Sequence, residues 1–298
     1  MNIGKKNIAV ASNRLRIIDN DSGSDQPMKS TCGKYVLAYN GEIYNYQDLK
    51  TILINEGQIF KTHSDTEVVL YWLKSRGVVG LADFKGMFAL AFIDIEKETV
   101  VFARDKHGIK PLYYHKSDQD LIVSSTTKSI AKSELIKTSL NQLAIHEYLA
   151  YRHVMGQKTF YETINAAEPG ISYVLKNGKI RTSSFKVASE ELGQNLKESL
   201  IDSLMLMTSS GGRPALLLSG GVDSTLLLAL FHQELGFSGL PTYTLAPSHD
   251  AQWARKAANQ YQAEHNEVNI GATDLKNAMG FLDTLDMPIA DHGALATW

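Results

Sequence analysis

Ser219-Gly220-Gly221-Val222-Asp223-Ser224, directly after the apolar run Ala215-Leu216-Leu217-Leu218, decides how this chain is read. A short apolar run that passes through two glycines into Thr225 to Leu235 reads as a buried strand, a tight loop and a helix. The glycines let the backbone come close to an anion, and the helix N-terminus points free N–H groups and a partial positive charge at it. Ser219 and Ser224 add hydroxyl donors, and Asp223 is placed to hold Mg²⁺ beside phosphates. No lysine follows in the GK[ST] arrangement, which separates this loop from the usual ATPase P-loop. Downstream, a strand is expected at Thr242 to Leu245, a helix at Ala251 to Ala263 and a strand at Glu267 to Ile270. Strands alternating with helices predict a parallel sheet with ligand sites at the strand C-termini. Upstream, Leu192, Leu196, Leu200 and Leu204 at four-residue spacing predict a helix with one buried stripe.

The first half reads differently. Tyr35 to Tyr39 alternates into an expected turn at Asn40-Gly41, and further strands are expected at Gly86 to Asp94, Thr99 to Ala103, Leu112 to His115 and Leu121 to Ser125. Two helices interrupt them. Tyr46 to Glu56 places Leu49, Ile52 and Leu53 on one face, and Asp65 to Ser75 places Val68, Val69 and Trp72 on another. Both follow cap-like residues, Asn45 and Ser64. Asn141 to Tyr151 reads as a helix, and Ser172 to Leu175 with Lys179 to Thr182 as a hairpin closing at Asn177-Gly178. The mixture predicts an α+β sandwich. The polar stretch Ser183 to Ser189 marks a domain boundary.

The whole chain has 298 residues, 44% hydrophobic and 21% charged, which suits two globular domains. Its formal charge of −2, with no long basic stretch, predicts no nucleic-acid partner. A single cysteine, Cys32, rules out an intrachain disulfide and suits a reducing cytosol. With no membrane-length apolar run and no signal-peptide core, the expectation is a soluble, cytoplasmic protein with no membrane partner.

Four segments of the first half carry polar chemistry: Arg14-Leu15-Arg16-Ile17-Ile18-Asp19, Asn40-Gly41-Glu42-Ile43-Tyr44-Asn45, His63-Ser64-Asp65-Thr66-Glu67, and Arg104 through Tyr114. Arginine suits a bidentate grip on a carboxylate, while Glu42 or Asp65 suits an ammonium. An Asn amide beside a glycine N–H can form an oxyanion hole. Together they suit a free amino acid held by both ends. Singly, each has a plain structural use: Arg14 as a surface ion pair, Asn40-Gly41 as a hairpin turn, Asp65 as a helix N-terminal acid.

Their order, followed by the glycine loop, resembles the glutamine-dependent asparagine synthetase B family over nearly the whole chain. Matching stretches are Arg14 to Asp19, Gln26-Pro27-Met28, Asn40 to Asn45, Ser64 to Glu67, Gly86 to Phe92, Arg104 to Tyr114, Tyr148 to Tyr161, Pro169-Gly170 and Ser219 to Ser224. The last also looks like the pyrophosphate loop of enzymes that adenylylate a substrate. The resemblance implies an α+β N-terminal-nucleophile-type sandwich over 1–185, a class II glutamine amidotransferase-like domain, and an α/β parallel-sheet PP-loop ATP pyrophosphatase domain over 186–298, each incomplete. It implies that Arg14 grips the glutamine α-carboxylate with the backbone near Ile17 lining the pocket. Asn40 and Gly41 would supply the oxyanion hole, and Glu42 and Asp65 would recognise the amino end. Ser219, Gly220, Gly221 and Ser224 would hold pyrophosphate, Asp223 its Mg²⁺, and the backbone at Leu217 and Leu245 the adenosine of ATP. The implied reaction attaches AMP to the side-chain carboxylate of aspartate, and ammonia from glutamine displaces it to give asparagine.

Two departures from the family shape the expectation. Its glutaminase works through an N-terminal cysteine whose α-amine is the base. Here Met1-Asn2-Ile3-Gly4 stands only a few residues before Arg14, so the chain reads as lacking that nucleophile. Cys32-Gly33 is internal and reads as a structural thiol. The family's second glycine-rich loop, beyond Asp286 to Asp291, has no counterpart before Trp298. Thr126, where relatives often carry glutamate, has no physical account. The chain thus reads as truncated at both ends and inactive by itself, with a homodimer or a complementing subunit open as partner. Alternatives are a β-lactam synthetase-like or sugar-modifying ligase, and a non-catalytic glutamine- or ATP-binding remnant.

Overall fold

The computed structural model describes all residues but 1, 4, 5, 16, 20, 21, 119, 186–194, 210, 211, 247, 270, 272, 273, 275–279, 281–283 and 290–298. Met1–Glu190 forms one compact unit and Glu191–Trp298 a second. Leu192 and Ile270, expected in a helix and a strand, lie outside the described residues.

The first unit opens with a short pair, β1 (Asn2–Ile3) and β2 (Lys6–Asn7), then β3 (Met28–Lys29) and β4 (Tyr35–Ile43). Helices α1 (Tyr46–Asn55) and α2 (Asp65–Arg76) precede β5 (Gly86–Asp94) and β6 (Thr99–Arg104). Next come β7 (Tyr113–Lys116), β8 (Leu121–Ser124), α3 (Thr127–Ala131), α4 (Gln142–Tyr151), β9 (Asn165–Ala166), β10 (Ile171–Lys176) and β11 (Lys179–Ser184). Six strands form one antiparallel sheet in the order β11-β10-β6-β5-β4-β3, and β8-β7-β9 form a smaller one.

Alternation along β5 explains the layers. Phe88, Leu90 and Phe92 face the helices, with Leu49, Leu53, Val68, Val69 and Trp72 in the same core. Ala89 and Ala91 face the other way, where Phe102 and Tyr173 meet Leu112 and, on the small sheet, Tyr114 and Val123. The result is the expected α+β sandwich.

Local expectations fail in three places here. Asn40-Gly41 is not a turn: β4 runs through it, with Asn40 opposite Ala89, Gly41 opposite Phe88 and Glu42 opposite Met87. A Cβ at Gly41 would lie 2.2 Å from the Met87 carbonyl oxygen, so glycine there serves close strand approach. Ile52 is 42% exposed. It stands about 100° around the helix from Leu53, outside the stripe of Tyr46, Leu49 and Leu53 that α1 buries. Asn45 does not cap α1. Its amide donates to the Asp83 carbonyl at 3.0 Å and accepts from the Lys85 amide at 3.0 Å. Ser64 does cap α2, accepting from the Thr66 amide at 3.1 Å.

In the second unit, α5 (Leu196–Thr208) leads to β12 (Leu216–Leu217), α6 (Val222–Gln233), β13 (Pro241–Ala246), α7 (Ala251–Gln260) and β14 (Glu264–Asn269). The sheet is parallel in the order β12-β13-β14, as the alternation predicts. Leu204, Leu218, Leu228, Phe231, Ala254 and Ala258 form its core. The leucine stripe is partial: Leu204 is buried, but Leu196 sits in the first turn of α5 and is 72% exposed.

Candidate functional site

In the first unit, the strand end Asn40–Ile43 and the loop of Arg14 meet the turn that opens α2. The Asp19 carboxylate accepts from the His63 amide at 2.8 Å and from the Ser24 hydroxyl at 2.8 Å, tying the Arg14 loop to that turn. Two residues on, Asp65 accepts from the Ile43 amide at 3.2 Å and from the Tyr39 hydroxyl at 2.8 Å. Gln26 braces the same edge of β4, its amide oxygen accepting from the Tyr39 amide at 2.6 Å. The structure therefore gathers Arg14, Glu42 and Asp65 around one turn, with Asn40 and Gly41 on the adjoining strand.

The three charged residues differ in how fully they are used. One Arg14 nitrogen, Nη2, donates to the carbonyls of Ile18 and of Asp19, the second at 2.9 Å. The other, Nη1, is buried with no hydrogen-bond partner. Glu42 is 8% exposed, and its Oε1 is likewise buried with no partner. Such atoms are rare and expensive in a native interior, and they leave room for a further hydrogen-bond partner. Asp65, 5% exposed, is fully engaged, and burial pushes its carboxyl above the usual 3.8. Ile17 stands exposed beside Arg14.

The Arg104–Tyr114 loop is built on Asp105, which is 1% exposed. Its carboxylate accepts from the amides of His107 at 3.0 Å, Ile109 at 2.9 Å and Lys110 at 3.0 Å. It also accepts from the Phe88 amide at 3.2 Å, which fastens the loop to β5 beside Gly41. Sequence reasoning marked this loop as charged but missed the organising role of Asp105, and also those of Asp19 and Tyr39. An aspartate leaving a strand ahead of a glycine turn was the one available signal for Asp105.

Cys32 lies in the turn between β3 and β4, exposed, with its Sγ 3.3 Å from the Ser30 hydroxyl, whose hydrogen bond lowers the thiol's pKa. Tyr35 and Glu42 are seven residues apart along one strand, about 23 Å at 3.3 Å per residue. The thiol and the unbonded carboxylate are at opposite ends of β4.

In the second unit, the glycine loop joins β12 to α6. Helix α6 begins at Val222, three residues earlier than expected, so Asp223 and Ser224 lie in its first turn. Gly220, with φ +77°, makes the bend. A Cβ there would lie 2.5 Å from the Ala254 amide nitrogen, because α7 backs the loop. No side chain caps α6, which leaves its first N–H groups open to an anion. Ser219 and Ser224 hydroxyls meet at 3.0 Å, and the Gly221 amide donates to Ser219 Oγ at 3.3 Å. These donors fit a phosphate group. Asp223 is exposed and acts singly: among the described residues no three His, Cys, Asp or Glu side chains form a metal cluster. A single exposed carboxylate of this kind can share a Mg²⁺ with phosphate oxygens. Leu217 pairs with Tyr243, and Leu245 lies two residues further along β13, so both stand on adjacent strands near the loop.

Residues 2–186 match the model of the glutamine amidotransferase domain, and residues 195–298 that of asparagine synthase. The chain belongs to the glutamine amidotransferase domain family, with an asparagine synthase match over its second part. It is 29% identical over 236 residues to asparagine synthetase [glutamine-hydrolyzing] 1 of Bacillus subtilis, covering 74% of this chain and 37% of that protein. It is 29% identical over 305 residues to asparagine synthetase B [glutamine-hydrolyzing] of Escherichia coli, covering 94% of this chain and 50% of that protein. To asparagine synthetase [glutamine-hydrolyzing] 2 of B. subtilis it is 29% identical over 288 residues, covering 88% and 38%. The chain thus spans about a third to a half of the length of these asparagine synthetase relatives. Among the described residues no helix is long and apolar enough to cross a membrane.

Proposed function

We propose that this chain forms the glutamine pocket and the first ATP loop of an asparagine synthetase-type ligase. The observation that carries the reading is the pair of buried, unbonded charged atoms, Arg14 Nη1 and Glu42 Oε1, flanking one turn of the first unit. A zwitterionic amino acid offers a carboxylate to the first and an ammonium to the second. Ile17 lines the pocket, and Asp65 stands at its amino end. The Asn40 side chain and the Gly41 N–H serve the glutamine amide as oxyanion donors. In the second unit, Ser219, Gly220, Gly221 and Ser224 hold pyrophosphate, Asp223 orients Mg²⁺, and the backbone at Leu217 and Leu245 meets adenosine.

In the full reaction, an oxygen of the aspartate side-chain carboxylate attacks the α-phosphorus of ATP and pyrophosphate leaves. Ammonia then attacks the acyl carbon of the resulting β-aspartyl-AMP, releasing AMP and giving asparagine. Glutamine is its nitrogen source.

Cys32 does not serve as the nucleophile, since it stands at the far end of β4 from Glu42 and carries no free α-amine. The reading of the first unit rests on glutamine binding. Calorimetric titration with glutamine, and separately with ATP and Mg²⁺, is expected to give one site each. Absence of glutamine binding defeats the reading of the first unit. Glutamate release that is lost in Cys32→Ser overturns the exclusion of Cys32 as nucleophile.

A further inference from the structure

Resting on the reading of the glycine loop as a phosphate site, we infer that Lys256, carried over the indole of Trp253, binds the phosphate chain held at that loop and supplies the cation that the loop itself lacks. Neither residue belongs to the six that mark the loop in the sequence.

The loop is short of positive charge. Ser219 to Ser224 include no lysine or arginine, and Asp223 adds a carboxylate in the first turn of α6. Backbone N–H groups carry only partial charge, so a pyrophosphate or triphosphate there draws any mobile cation within reach. The described lysines and arginines of the second unit are Lys197, Arg213, Arg255 and Lys256. Lys197 pairs with Glu234 at 2.6 Å, Arg213 with Glu264 at 3.4 Å, and Arg255 with Glu267 at 2.7 Å. Among these described residues Lys256 alone pairs with no carboxylate. Its Nζ stands 4.3 Å from the centroid of the Trp253 ring.

Placement joins that cation to the loop. The loop follows β12 and α7 follows β13, and these adjacent parallel strands end at one edge of the sheet. A Cβ at Gly220 would lie 2.7 Å from Trp253 Cβ and 2.5 Å from the Ala254 amide nitrogen, so the first turn of α7 abuts the loop. Lys256 stands one turn further on. Side chains of a helix lean toward its N-terminus. The contact with Trp253 shows Lys256 leaning that way, which aims its ammonium at the end of α7 that meets the loop.

The indole is a weak hold. Trp253 is 50% exposed, and a cation over an exposed ring gains less than one hydrogen-bonded to an ionised phosphate. The lysine stem is flexible, so the ammonium passes from ring to phosphate without moving the helix. Arg255, fixed by two hydrogen bonds to Glu267, is not free to do the same.

The test uses the whole chain, titrated calorimetrically with inorganic pyrophosphate and Mg²⁺, then with ATP and Mg²⁺. Lys256→Met keeps an apolar stem against the indole and removes the charge, and it is expected to weaken both ligands about tenfold. Lys256→Arg keeps the charge and is expected to stay within about threefold of the parent. Affinity of the parent should fall more steeply with added salt than that of Lys256→Met, a difference that lost packing alone does not produce. With ¹³C at the lysine Cε positions, the Lys256 signal, displaced by the indole ring current, is expected to move toward the ordinary lysine position as pyrophosphate is added. Binding by the parent, with Lys256→Met within about twofold of it, overturns the role of Lys256 and leaves the phosphate reading of the loop intact. A Lys256 signal unmoved at saturation does the same. Lys256→Arg as weak as Lys256→Met also overturns it, since charge is then not what the site uses. Absence of binding by the unmutated chain defeats the phosphate reading and the inference with it.

Discussion

Glu42 keeps a carboxylate oxygen out of water with no donor facing it, an arrangement that weakens the empty fold and strengthens the filled one. Arg14 Nη1 is in the same condition with the opposite charge. Stability and binding therefore pull against each other at these two residues. Replacing Glu42 by glutamine removes a buried, unpaired charge and should raise the free energy of unfolding by about 1 kcal/mol. The same change weakens glutamine. Urea denaturation of Glu42→Gln checks the first half, and a variant less stable than the parent contradicts it. Asp65 behaves otherwise, because each of its bonds is already made within the protein.

Strands β4 and β5 set the geometry on which those residues depend. Their ladder runs without a break from Tyr35–Asp94 to Ile43–Gly86, which carries Glu42 to the turn opening α2. Gly41 lets the backbones close up at Phe88, whose amide is in turn held by Asp105. Gly41→Ala places a methyl 2.2 Å from the Met87 carbonyl oxygen and 2.6 Å from Phe88 Cα, both backbone atoms. It should cost about 2–3 kcal/mol and weaken glutamine binding, because the ladder must part where the site is built. A melting temperature unchanged from the parent would falsify this. The same dipeptide shows how far local sequence carries. Asn177-Gly178, with φ of 50° and 76°, closes the β10–β11 hairpin as its sequence predicts. Asn40-Gly41 has the same turn signal and lies inside a strand instead. The difference comes from β5, nine residues of apolar strand that pair across the whole of β4. Helix α6 teaches a similar lesson: the polar start Asp223-Ser224 read as loop, yet both residues are helical. Asp in a first turn complements the helix dipole, so nothing there resists helix.

Across the whole molecule, the proposed amino-acid site and the glycine loop belong to separate compact units, each with its own core. Substitutions in one unit are expected to leave the ligand of the other alone, since sites without shared partners act additively. Asp223→Asn is expected to weaken ATP–Mg²⁺ binding by about tenfold while leaving glutamine affinity within twofold of the parent. Equal losses for both ligands would show the units to be coupled. The sequence by itself determined the fold class of each unit, because hydrophobic periodicity and glycine turns are local and repeat along the chain. It also marked the glycine loop, whose candidate phosphate donors all lie within six consecutive residues. What only the tertiary structure decided is the division among Arg14, Glu42 and Asp65. Whether a buried charge is satisfied or left open depends on donors such as Tyr39 and Ile43, brought from a separate strand, and spacing along the chain does not record that.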